Sequence, residues 1–64
     1  MKYIITTDNQ EQGWLDSFNG QYGHTYQMNQ EVQEEHLDQV EWEADVFNHT
    51  VAEGPAILIN EVAE

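Results

Sequence analysis

The sequence has no cysteine, no arginine and a single lysine, Lys2. Without cysteine there is no disulfide crosslink and no thiol chemistry, which suits a reducing compartment. With one cation, direct binding to nucleic acid is excluded, because phosphate contact needs Lys and Arg. The same imbalance repels anionic membranes. Ser17 is the sole serine and lies in no nucleophile-elbow pattern, and no Gly-rich phosphate loop is present. No apolar run approaches the ~20 residues of a membrane helix. The stretch Tyr3 to Thr7 behind Lys2 is too short for the apolar core of a signal peptide. A chain of 64 residues also has little room for a ligand-sized pocket. Together these absences predict a cytoplasmic protein that is not an enzyme and carries no cofactor.

What the sequence does contain is acid. Thirteen carboxylates set against Lys2 give a formal charge of −12. A disordered acidic tail would be poor in hydrophobic residues, but this chain is 39% hydrophobic and includes Trp14, Trp42, Phe18, Phe47 and three tyrosines. It is predicted to fold, as one domain spanning residues 1–64. A domain of this size buries only about 60% of the surface of its unfolded chain. Self-repulsion opposes association while a thin core favours it, so monomer and homodimer both stand.

The predicted fold is α+β: a small antiparallel sheet against one main helix. Residues 2–7, rich in β-branched and aromatic side chains, read as a strand, and residues 56–62 as the clearest strand of all. Asp8, with Glu11 three residues later, resembles a capping box before a short helix carrying Trp14, Leu15 and Phe18 and ending near Gly20. The main helix is predicted to start near Asn29. From there Val32, His36, Leu37, Val40, Ala44 and Phe47 share one side, with Glu31, Glu34, Glu35, Asp38, Glu41 and Asp45 on the other. A second pattern overlaps it, because Val40, Trp42, Ala44 and Val46 alternate with acids as in a strand. Segments 40–47 and 22–28 are therefore both candidates for a third strand, although the helix through Phe47 has the longer count of matches. On a helix Trp42 would stand in the acidic stripe; as a core residue it would be buried, and both placements stay open.

Seven of the thirteen carboxylates fall between residues 31 and 45: Glu31, Glu34, Glu35, Asp38, Glu41, Glu43 and Asp45. A charge run on a helix is ordinarily a solvated face, but ordinary faces intersperse both signs. Here no lysine relieves the like-charge cost of a few tenths of a kcal/mol per i,i+4 pair. Asp45 and Glu43 also sit near a helix C-terminus, where the macrodipole disfavours anions. Acids three or four residues apart rise about 4.5–6 Å along a helix, coarsely the ~7 Å spacing of successive phosphates.

This stripe, with Trp42 beside it, resembles small, cysteine-free, acidic phage and mobile-element proteins that block host defences, including DNA mimics and anti-CRISPR proteins. The resemblance covers about a quarter of the chain and implies an inhibitor. Glu31, Glu34, Glu35, Asp38, Glu41, Trp42, Glu43 and Asp45 would bind the basic site of a nucleic-acid-binding protein or nuclease complex. An immunity protein or antitoxin that neutralises a basic toxin, and an acidic structural domain, are the alternatives.

Metal motifs are incomplete. Asp8 to Asn19 imitates an EF-hand loop at Asp8, Gly13, Leu15 and Asp16, but Gln10, Gln12 and Asn19 replace oxygen-ligand positions. His24, His36 and His49 are scattered, and Glu35-His36 lacks the second histidine of a zinc helix. Asn48-His49-Thr50 fits a glycosylation sequon, which has no use in a cytoplasmic chain.

Overall fold

The computed structural model describes residues 2–63. The element order is β1 (Lys2–Thr7), α1 (Gln12–Tyr22), β2 (Gln30–Val32), α2 (Leu37–Phe47) and β3 (Ile57–Val62), with short helical turns at Asp8–Gln10, Glu34–His36 and Asn48–Ala52. The α+β class expected from the sequence is present, as a three-stranded antiparallel sheet with two helices. No helix of the described residues is long and apolar enough to cross a membrane.

β1 is the middle strand, in the order β2-β1-β3. Its β-branched run suits that position, since a central strand is covered on both edges. Ile5 lies opposite Gln30 on one side and Ile59 on the other; Tyr3 lies opposite Val32 and Glu61. Directly opposed residues share a face, so Ile5, Val32, Ile57 and Ile59 present one apolar surface to the helices. At its C-terminal end Thr6 and Thr7 are buried with their hydroxyls satisfied. Thr7 Oγ1 donates to the Glu11 carbonyl at 2.9 Å, and Gln10 Nε2 donates to Thr6 Oγ1 at 3.0 Å.

α1 begins later and ends later than the capping-box reading expects. Asp8 belongs to a separate turn in which Asn9 and Gln10 have φ of 58° and 56°, and no side chain caps Gln12–Tyr22. Its C-terminus has a stronger signal: Gly23 at φ 72° returns its N–H to the Asn19 carbonyl at 2.8 Å. That left-handed position favours glycine. Leu15 and Phe18 point into the core.

The helix expected from Asn29 divides into three parts. Asn29 takes φ 63° and donates its N–H to the Ile5 carbonyl at 2.8 Å, which turns the next residues into β2. Val32 is buried by pairing with Tyr3, so its helical spacing to His36 is coincidental. Glu34–His36 then forms a turn and α2 runs from Leu37 through Phe47. The third strand is thus 30–32, and segments 22–28 and 40–47 are not strands. α2 stays helical because Val40, Ala44 and Phe47, three and four residues apart, all reach the core, whereas a strand would have turned Val40, Trp42 and Val46 to one face.

Nine apolar residues form the core: Ile5, Leu15, Phe18, Val32, Val40, Ala44, Phe47, Ala56 and Ile57. Phe47 sits edge-on to Phe18 at 5.7 Å and to Trp14 at 6.2 Å. Beyond α2, Asn48 ties the helix to β3: its amide donates to the Ile57 carbonyl at 3.0 Å and accepts from the N–H groups of Ile57 and Ala56 at 2.9 and 3.1 Å.

Among the described residues the only carboxylates within ion-pair distance of a basic side chain face histidines, Glu43 with His24 and Asp45 with His49, and neither Lys2 nor any other permanent cation is paired. Net repulsion therefore works against this fold. Raising NaCl from about 10 mM to about 1 M shortens the screening length from about 30 Å to about 3 Å. The thermal midpoint is expected to rise by about 5 °C across that range, measured by circular dichroism at neutral pH. A midpoint that falls would show that attractive pairs, not repulsion, dominate the electrostatics.

Candidate interaction surface

The inward side of α2 carries Val40, Glu43, Ala44 and Phe47. The outward side therefore carries Asp38, Glu41, Trp42 and Asp45, with Trp42 four residues after Asp38 and three before Asp45. Such neighbours stand about 5–6 Å apart at Cβ. Trp42 is 59% exposed, so an indole lies in water with carboxylates on either side. Asp45 is open too, and its contact is with His49, whose ring Nδ1 lies 2.9 Å from the Asp45 carbonyl and 3.5 Å from its carboxylate.

Of the residues expected to bind a partner, the structure brings Asp38, Glu41, Trp42 and Asp45 onto one helix face. Glu34 and Glu35 are exposed in the turn that leads into it. Glu31 is exposed but stands apart. It lies opposite Ile4 on β2, so the pleat turns it to the sheet face away from Val32 and the helices. Glu43 is the correction to the stripe. It is only 8% exposed and points inward, because it falls three residues after Val40 and four before Phe47.

Glu43 is held by a cluster that sequence reasoning missed. His24 Nε2 lies 2.7 Å from Glu43 Oε1, and Gln39 Nε2 donates to Glu43 Oε2 at 3.4 Å. The imidazole stacks on Phe18 at 5.7 Å with an interplanar angle of 29°, and packs against Tyr26 at 5.2 Å. The signal available in the sequence was the inward register of Glu43 itself, since a carboxylate there needs a partner. Nothing in the sequence pointed to His24 as that partner, because the loop at residues 23–27 has no periodicity.

Burial, and secondarily the charge of Glu43, raises the Tyr26 phenol above the ordinary tyrosine value of 10.0. A raised folded value means that the stability it contributes is complete below the ordinary value and is lost as pH rises through the folded one. The wild-type chain is therefore expected to destabilise above pH 10 as Tyr26 ionises. Tyr26→Phe should flatten that stability loss, followed by circular dichroism across alkaline pH. An equally steep loss in Tyr26→Phe would show that Tyr26 does not cause it.

A groove of about 330 Å³ opens beside this cluster, lined by His24, Tyr26, Gln30, His36 and Gln39 among others. A carboxylate-oriented imidazole is half of an acid–base arrangement. No serine or threonine hydroxyl hydrogen-bonds to it among the described residues. The cluster's evident effect is to fasten the loop after α1 to α2. Among the described residues no group of three His, Asp or Glu is placed to hold a metal. The stretch that imitates an EF-hand loop is helical from Gln12, with Asp16 accepting a hydrogen bond from Gln12 Nε2 at 3.0 Å.

Comparison with family models, with curated proteins and with solved structures yields no match. The functional reading therefore rests on this chain's own surface.

Proposed function

We propose that this protein is a cytoplasmic, non-enzymatic inhibitor that sets the acidic face of α2 into the basic nucleic-acid-binding site of a host defence protein, a CRISPR effector or restriction nuclease. The observation that carries the proposal is the exposed Trp42 placed among Asp38, Glu41 and Asp45. Solvated acid alone needs no partner. The Trp42 indole stands in water, whereas Trp14, Phe18, Tyr22, Tyr26 and Phe47 belong to the core or pack against it, and tryptophan is among the residues most enriched as interface anchors.

The two kinds of group divide the work. Carboxylates pair with the Arg and Lys that would otherwise hold phosphates, and charge-assisted hydrogen bonds of that kind are the strong ones. Long-range attraction between opposite charges speeds the encounter. The indole supplies a desolvated anchor, and its face can receive a guanidinium by cation–π contact. Binding would then compete with nucleic acid for the same cations.

Affinity capture from a bacterial lysate with the wild-type chain tests this reading. Recovery of a nuclease or CRISPR effector at low salt, reduced at high salt and competed off by DNA, is the expected result. Capture of a single toxin-like partner that DNA leaves in place would favour an immunity protein or antitoxin instead. Retention of full inhibitory activity after Glu34, Glu35, Asp38 and Glu41 are all changed to Gln would reduce the acidity to a solubility device.

A further inference from the structure

We propose that the open edge of β3 takes an extended, basic segment of a partner protein as a fourth strand. In an antiparallel pair, alternate residues direct their N–H and C=O groups to the neighbour strand and away from it. Three hydrogen-bond observations fix that alternation here. The Asp8 N–H donates to the Ala56 carbonyl at 3.0 Å, so even-numbered residues of β1 face β3. The Ile5 carbonyl accepts from Asn29, so odd-numbered residues of β1 face β2. Both backbone groups of Ile57 turn outward, to the side chain of Asn48. By the same alternation the N–H and C=O groups of Ile59 and Glu61 also point outward. Among the described residues β1 is the only strand beside β3, so no strand covers that outward side.

Asn48 shows what this edge accepts. Its amide donates to the Ile57 carbonyl and accepts from the Ile57 N–H, as a residue of a neighbouring strand would. The imitation stops after one residue. Beyond it a groove of about 260 Å³ runs between residues 57–60 and the α2 side chains Glu41, Ala44 and Asp45. Ile59 is half-buried there and Glu61 is exposed.

The occupant's chemistry follows from the walls. Glu41 and Asp45 line the helix side, and Glu61 lies on the strand. A strand laid beside β3 sends every second side chain toward α2, where Lys or Arg would meet carboxylates. Main-chain bonds of this kind supply affinity in strand addition, and the alternate side chains supply specificity. A second copy of this chain is a poor occupant, because each copy carries a charge of −12. The proposal goes beyond the inhibitor reading, since any partner with a basic extended segment satisfies it.

The test uses the peptide acetyl-Lys-Val-Lys-Val-Lys-amide titrated into the full chain, followed by backbone amide NMR. The expected result is saturable binding with the largest shifts at Ile59 and Glu61. N-methylating alternate peptide residues keeps the charge and should weaken binding by about tenfold or more. Glu61→Pro removes an outward donor that the β1–β3 ladder does not use, as edge strands tolerate, and should weaken it about as much. Glu61→Gln should cost less than about threefold. Trp42→Ala should leave peptide affinity unchanged, which separates this site from the inhibitor face. Equal binding of the N-methylated peptide, or shifts confined to Asp38 and Trp42, would overturn the proposal in favour of simple charge adhesion. A peptide-free, concentration-dependent dimer with shifts at Ile59 and Glu61 would overturn it in favour of a second copy.

Discussion

Phe47→Ala is expected to leave much of the chain unfolded at 25 °C. Phe47 is 1% exposed and packs α2 against α1, edge-on to both Trp14 and Phe18. Truncating a buried phenylalanine costs about 3–5 kcal/mol, from lost transfer energy plus the cavity left behind. A domain of this length has about 3–10 kcal/mol in total, and here self-repulsion takes from that margin. No disulfide exists to make up the loss. The variant should show reduced helical circular dichroism at neutral pH, with structure partly regained at high salt. Wild-type denaturation in guanidinium chloride would mean that the core closes without Phe47, against its edge-on packing with Trp14 and Phe18.

Trp42→Ala is expected to do the reverse, leaving the fold intact and removing most of the binding. The indole is 59% exposed, so its loss should change stability by no more than about 0.5 kcal/mol. As the centre of an interface it would contribute like other buried aromatic anchors, where truncation costs about 2–4 kcal/mol, or about 30-fold to 1000-fold in affinity. Asp38→Asn and Asp45→Asn should act differently. Each removes charge at the rim, so the association rate and its salt dependence should fall more than the dissociation rate rises. Isothermal titration against the captured partner, with stopped-flow rates, separates the two effects. A Trp42→Ala variant that binds as tightly as wild type would return the indole to an incidental surface residue.

The fold was legible where one pattern had no competitor. β1 and β3 follow from runs of β-branched residues, and Phe18 and Leu15 from their spacing. The segment from Asn29 to Phe47 was harder because a local turn outweighed the periodicity. Asn29 in a left-handed conformation, bonded to Ile5, commits Gln30–Val32 to the sheet, and nothing in a helical spacing reports a bond to a strand far away in sequence. Past Leu37 the helical pattern was the correct one, and the strand alternation of Val40, Trp42, Ala44 and Val46 was accidental. Trp42 was the misfit in the helix as read from sequence, and it is the residue the structure leaves in water.

The acidic face was legible in part. Asp38, Glu41 and Asp45 gather as their spacing requires, while Glu31 is carried to the other face of the sheet by the pleat of β2. Glu43 was counted with the stripe by its chemistry, although its position matched the inward residues. Its partner His24 lies in a loop whose path depends on Gly23 and on Asn19, which accepts the Gly23 and His24 N–H groups and bonds Tyr26 through its side chain. Such a path is set by tertiary hydrogen bonds and leaves no period in the sequence.

The most direct test of the central claim is displacement of nucleic acid. A labelled DNA duplex bound to the purified captured partner is titrated with this protein and followed by fluorescence polarisation. Full displacement by the wild-type chain is expected, weakened steeply by added salt, with the Trp42→Ala curve shifted to about 30-fold higher concentration or more. A ternary complex in which polarisation rises while the DNA stays bound would contradict it.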